Sequence, residues 1–186
     1  MYDIENYTKK VDELTAAGDP SAVEQFILDE LRVVDTPYCI GSGGCPSCRS
    51  QEKEDRDALQ WLHDRVTAQV ILRNDLAGLY RSTSRWDDCM TVFEQLMENL
   101  EEAGLLETPL HGRILLNRAC MFMDAGNLDA ALDDATRAAS IFDGDPEIDT
   151  DSVVAVYNLL SAIYAKKGDD QHSVLARDMA EEARKK

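Results

Sequence analysis

Residues 70–93 read VILRNDLAGLYRSTSRWDDCMTVF, residues 112–135 read GRILLNRACMFMDAGNLDAALDDA, and residues 154–177 read VAVYNLLSAIYAKKGDDQHSVLAR. Set beneath one another they keep a step of 42 residues: Tyr80, Phe122 and Tyr164 align, as do Ser84, Gly126 and Gly168. Ala77, Ala119 and Ser161 form a third column, and Cys89, Ala131 and Ser173 a fourth. A step shared by four positions marks a stacked repeat array. In each copy apolar residues return at three- and four-residue intervals on either side of the turn column. Each copy therefore predicts two amphipathic helices with a tight turn between them. The buried stripe of the last copy takes in Val174, Leu175, Met179 and Ala180.

These residues resemble the tetratricopeptide repeat. That motif sets a large apolar residue beside a small one, an aromatic three residues on, a turn glycine, another large residue and a small one. The first copy supplies Leu76-Ala77, Tyr80, Ser84, Trp86 and Cys89. The second supplies Ala119, Phe122, Gly126, Leu128 and Ala131, with Arg118 where the large apolar residue belongs. The third supplies Leu160-Ser161, Tyr164 and Gly168, then departs at Asp170 and Ser173. The step of 42 is longer than the usual motif and is similar to the long variety of kinesin light chains. The resemblance implies an all-α, right-handed superhelix of helical hairpins, with repeats at about 70–111, 112–153 and 154–186. The small residues then lie where helices cross most closely, and a larger side chain there costs roughly 1–3 kcal/mol by overpacking.

Upstream, residues 1–35 predict a separate helical hairpin: Gly18-Asp19-Pro20 breaks it, and Ser21 or Asp19 is placed to cap the second helix. Terminal units of repeat arrays are atypical, so this hairpin is expected to be a cap or a degenerate repeat. From residue 51 a helical pattern runs to about Arg81, either unbroken or with a break near Thr67, and residues 51–186 form the array. Asp151 or Ser152 is placed to cap the first helix of the third copy. His63, His111 and His172 have no partner at metal or catalytic spacing and read as surface or seam residues.

The 186 residues hold 19 Lys and Arg against 36 Asp and Glu, a formal charge of −17. That balance disfavours nucleic acid and anionic membranes as partners, because both need clustered cations. No apolar run approaches a membrane span and the first residues are acidic, which leaves the cytoplasm as the expected location. The segment 143–151 fails the EF-hand pattern, having Ile148 and Val154 where Gly and Glu belong.

Residues 36–50 form a Gly- and Cys-rich loop. Cys39, Cys45 and Cys48 contain one C-x-x-C pair, and three readings stay open. The thiolates are candidate zinc ligands, three of the four that a structural site needs. They are also a candidate redox pair, Cys45 preceding a helix start that lowers a thiol pKa. Otherwise they are plain loop thiols. Cys89 and Cys120 belong to the helical faces and read as core.

In tetratricopeptide proteins the first helix of each pair lines a groove. Here those helices carry Arg73, Arg81, Arg113, Arg118, Lys166 and Lys167 against Asp75 and Asp124, while the second helices hold most of the acid. The resemblance implies that Asn117, with Asn74 and Asn158 one place out of register, holds a ligand backbone. It implies that Arg81, Arg113 and Lys166 meet carboxylates of an acidic partner or a C-terminus. The expected function is thus a non-enzymatic protein- or peptide-binding scaffold. The alternatives are a metal or thiol sensor built on the cysteine loop, and a purely structural oligomer.

Overall fold

A computed structural model of the chain describes residues 2–35 and 55–185, with the side chains of the third helix from Arg65 onward. The described residues form eight α-helices and no strand: α1 (Ile4–Ala16), α2 (Pro20–Asp35), α3 (Asp55–Ser82), α4 (Trp86–Glu102), α5 (Pro109–Asp124), α6 (Leu128–Asp143), α7 (Thr150–Lys167) and α8 (Asp170–Ala183). They cluster into two compact units, residues 1–79 and 80–186, divided near the last turn of α3.

In the first unit α1 and α2 form the hairpin. Gly18 takes φ +75°, and the Asp19 carboxylate accepts from the N–H groups of Ser21 and Ala22 at 3.0 and 3.2 Å, so Asp19 is the cap. Tyr7, Val23, Ile27, Leu31 and Val34 form its buried side. The last turn of α2 has carbonyls that no helical N–H can reach. Arg65 and Gln69 donate to Val34 O at 2.7 and 3.3 Å, and Arg73 donates to Asp35 Oδ2 at 2.7 Å. These residues come from successive turns of one side of α3, which is a single unbroken helix of 28 residues. Arg73, expected on a ligand-binding side, is therefore committed to holding α2. Tyr7 OH donates to Asp75 Oδ2 at 3.1 Å, and burial, the largest cause, raises the pKa of that carboxyl.

The second unit repeats itself at the hydrogen-bond level. The carbonyls of Tyr80, Phe122 and Tyr164 accept from the N–H groups of Arg85, Asn127 and Asp169 at 2.8, 2.8 and 2.9 Å. Four residues further on, Cys89, Ala131 and Ser173 each donate at 3.0 Å to the carbonyl of that same residue. Between them Ser84, Gly126 and Gly168 take φ of +57°, +82° and +79°. This is the six-to-one closure of a helix C-terminus, which requires a left-handed residue. Serine at the first of the three accepts a conformation that glycine adopts without cost. Asn127 and Asp169 cap their helices with side-chain oxygens, whereas Arg85 makes no such bond.

The pairs α5–α6 and α7–α8 are joined by residues 144–149, and α7 packs on both α5 and α6. The Asp149 carboxylate caps α7, accepting from Ser152 N–H at 2.7 Å. The cap is therefore two residues earlier than the first of the two candidates, Asp151 and Ser152. The core combines small and large residues: Ala119, Ala131, Ala135 and Ala138 are fully buried among Leu115, Phe142, Val156 and Ile163. The small-residue column marks the crossing points. Ser161 and Ser173 show this directly, since each hydroxyl donates to the other's backbone carbonyl, at 2.8 and 3.0 Å. Gly112 lets α5 approach α6 so closely that a Cβ there would lie 2.5 Å from the Phe142 ring.

Arg118 has its explanation here. At this register the neighbouring copies hold Leu76 and Leu160, both buried. The Arg118 guanidinium instead makes two parallel bonds to Asp134, at 2.7 and 2.8 Å. Asp134 stands 42 residues from Val92 and from Ala176, so an apolar pair has been exchanged for an ion pair on both helices at once. His111, expected at the surface or at a seam, is placed inside. It is wholly buried, its Nδ1 accepts from Glu107 N–H at 3.0 Å, and its Nε2 has no protein partner. Burial, the largest cause, lowers its pKa.

Candidate functional site

Two surfaces of the second unit carry exposed, chemically distinctive side chains, and they lie on opposite sides of α7. On the first, α5 presents Arg113, Asn117, Cys120 and Asp124 at helical spacing, and α7 presents Asn158 and Lys166. Arg113, Asn158 and Lys166 are exposed, and Asn117 is half-buried. Most of the cations expected to be available here are already engaged. Arg113 pairs with Asp149 at 2.6 Å, Arg81 with Asp124 at 3.6 Å, and Lys167 with Asp129. The bonds from Ser152 and then from Arg113 hold the Asp149 carboxyl down at about 2. Lys166 has no carboxylate within 4 Å among the described residues. Asn74, the remaining candidate, belongs to the first unit and is half-buried.

The second surface is a cleft of about 410 Å³ between α6, α7 and α8. Tyr157, Leu160 and Tyr164 of α7 form its floor, with Thr136, Ser140 and Asp143 on one wall and His172, Leu175 and Met179 on the other. Tyr157 OH donates to Asp143 Oδ2 at 2.5 Å; burial first, then this bond, raises the phenol's pKa. Tyr164 stacks on His172 at 5.1 Å between centroids, and His172 Nδ1 lies 2.7 Å from Asp169 Oδ2. Sequence reasoning missed this cleft because α8 looked like an ordinary amphipathic helix. Its buried stripe is instead the small set Ser173, Ala176 and Ala180, while Val174, Leu175 and Met179 are 50%, 57% and 38% exposed. The small-residue column that places Ser173 at the crossing was the signal that Leu175 and Met179 face outward.

Cys39, Cys45 and Cys48 lie outside the described residues, as does the side chain of His63. Among the described residues no three His, Cys, Asp or Glu side chains are grouped to hold a metal ion. Cys89 is buried and Cys120 is half-buried against the core; burial raises the pKa of both thiols, that of Cys89 to about 11. No helix among the described residues is long and apolar enough to cross a membrane.

No protein-family model and no curated protein matches the sequence. The structure is similar to the crystal structure of BtubC (BKLC) from P. vanneervenii, with a TM-score of 0.61 over 97% of this chain and 79% of that chain. The fold is a tetratricopeptide-like helical array. The two sequences are 16% identical, so the likeness speaks for the architecture.

Proposed function

We propose that the chain is a non-enzymatic scaffold that binds a protein or peptide along the α5–α7 surface. The observation that supports this most directly is the pairing of Asn158 and Lys166 on one exposed side of α7, with Lys166 lacking a carboxylate partner among the described residues. Asn158 offers both a donor and an acceptor to an extended backbone, and Lys166 offers a charge to an acidic side chain or a C-terminal carboxylate. Asn117 supplies the corresponding amide from α5. Arg81 and Arg113 contribute less charge than their number suggests, since Asp124 and Asp149 already neutralise them.

The test is affinity capture from an extract of the source cells, with bound proteins identified by mass spectrometry. Asn158→Ala with Lys166→Glu should release the captured partner at least tenfold more readily while leaving the melting temperature unchanged. Arg113→Glu is a poor probe, because it would set two carboxylates against each other at the cap of α7. Retention of the same partner by the double variant would refute the α5–α7 reading.

A further inference from the structure

The cleft between α6, α7 and α8 lies on the far side of α7 from the surface just discussed, and nothing in that reading uses it. Its outer wall carries Leu175 and Met179, 57% and 38% exposed, one helical turn apart and above the partly polar floor of Tyr157 and Leu160. Leu175 and Met179 leave apolar surface open to water at the mouth of a cleft, where an occupant would bury it. The lining includes one ionisable acid, Asp143, and no Lys or Arg. Helical spacing puts Asp133 on the same side of α6 as Thr136, Ser140 and Asp143, and Glu182 on the same side of α8 as Leu175 and Met179. The cleft thus mixes Leu, Met and Ala with Thr, Ser, Tyr and His side chains within and is acidic along both lips, on a chain of net charge −17.

We propose that this cleft docks a basic amphipathic helix from a partner protein. Charge selects a basic occupant, because an acidic one would meet carboxylates on both sides. Wall chemistry selects a helix. The walls are helices whose N–H and C=O groups are spent internally, and the lining has no Asn or Gln amide of the kind that could hold an extended backbone on the α5–α7 surface. A helical ligand brings its own backbone bonds already made. Length agrees: the wall residues span 136–143 on α6 and 172–179 on α8, about 10 Å at the helical rise. That is the reach of apolar anchors at i, i+3 or i+4, and i+7 of a bound helix.

The experiment is fluorescence anisotropy on the full chain with a labelled 18-residue peptide of Leu and Lys in amphipathic helical order. The same peptide in scrambled order and one with Glu in place of Lys serve as controls. The amphipathic basic peptide should bind at one per chain, at least tenfold more tightly than either control. Leu175→Asp with Met179→Asp should weaken it at least tenfold. That pair adds two negative charges, so attraction that was merely electrostatic would strengthen, and such strengthening would overturn the proposal. Both residues are exposed, so the variant should melt as the parent does. Asn158→Ala with Lys166→Glu should leave this affinity within twofold, which separates the cleft from the α5–α7 surface. If the peptide does not bind, and sedimentation shows a dimer that Leu175→Asp dissociates, the occupant is a second copy and the proposal fails.

Discussion

The exchange of an apolar pair for Arg118 and Asp134 can be reversed, and the outcome measures what the ion pair contributes. The two side chains are 20% and 11% exposed and share two bonds under 3 Å. Breaking a fully buried pair by removing one partner costs about 3–5 kcal/mol, because the survivor keeps its desolvation cost without compensation. Partial exposure lets water reach the survivor, so Asp134→Ala alone should cost about 2–3 kcal/mol, and Arg118→Leu alone a similar amount. Arg118→Leu with Asp134→Ala rebuilds the Leu160 and Ala176 arrangement of the third copy. It should lie within about 1 kcal/mol of the parent, or above it, since apolar replacements of buried ion pairs are often neutral or stabilising. The cycle should therefore close with a coupling of about 3–6 kcal/mol, at or beyond the upper end for residues in contact. Urea unfolding followed by far-ultraviolet circular dichroism reads all four proteins, and an unchanged slope would show that the unfolded state has not shifted. Single changes costing under about 0.5 kcal/mol, or a double variant as unstable as the sum, would refute the reasoning.

Gly112→Ala should destabilise by about 1–3 kcal/mol, because the new methyl meets the buried Phe142 ring at 2.5 Å; Gly78→Ala, on an open helical site, should stabilise by about 0.5–1 kcal/mol. Thermal melts with opposite signs would confirm the distinction, and equal shifts would remove it. His111 is buried and neutral with its pKa lowered, so its contribution is present above the unfolded value near 6.5 and is lost as pH falls below it. Stability should drop as pH falls from about 7 through the unfolded value near 6.5, by up to about 1.4 kcal/mol per pH unit, and His111→Gln should flatten that part of the profile. Asp149→Ala should cost about 0.5–2 kcal/mol as a lost cap. The depressed carboxyl makes that contribution complete above about pH 4 and lost toward pH 2, so the gap between parent and variant should close on acidification.

Much of the array was legible in the chain because a left-handed turn residue and a small crossing residue are hard requirements on backbone and volume. Ser84, Gly126 and Gly168 had to adopt positive φ wherever the pairs ended up, and Ala119 and Ala131 had to be small wherever the helices met. Charge was read less well. Counting Arg and Lys on the first helix of each pair suggested a basic surface, yet Arg73, Arg113 and Lys167 each reach a carboxylate 38, 36 and 38 residues away in sequence. Such distant partners leave no local pattern. His111 likewise read as a surface or seam residue, and nothing within four residues announces that Glu107 will turn its N–H toward the ring.

By itself the sequence determined the helices, the turns that end them and the interval at which they recur, since these rest on local dihedral preferences and on side-chain size. Tertiary packing decided which cations remain available and which apolar side chains stay wet. Leu175 and Met179 satisfy the periodicity of a buried stripe as well as Ala176 and Ala180 do. Only the approach of α7 to α8 through Ser161 and Ser173 turns the small residues inward and leaves the large ones at the mouth of a cleft.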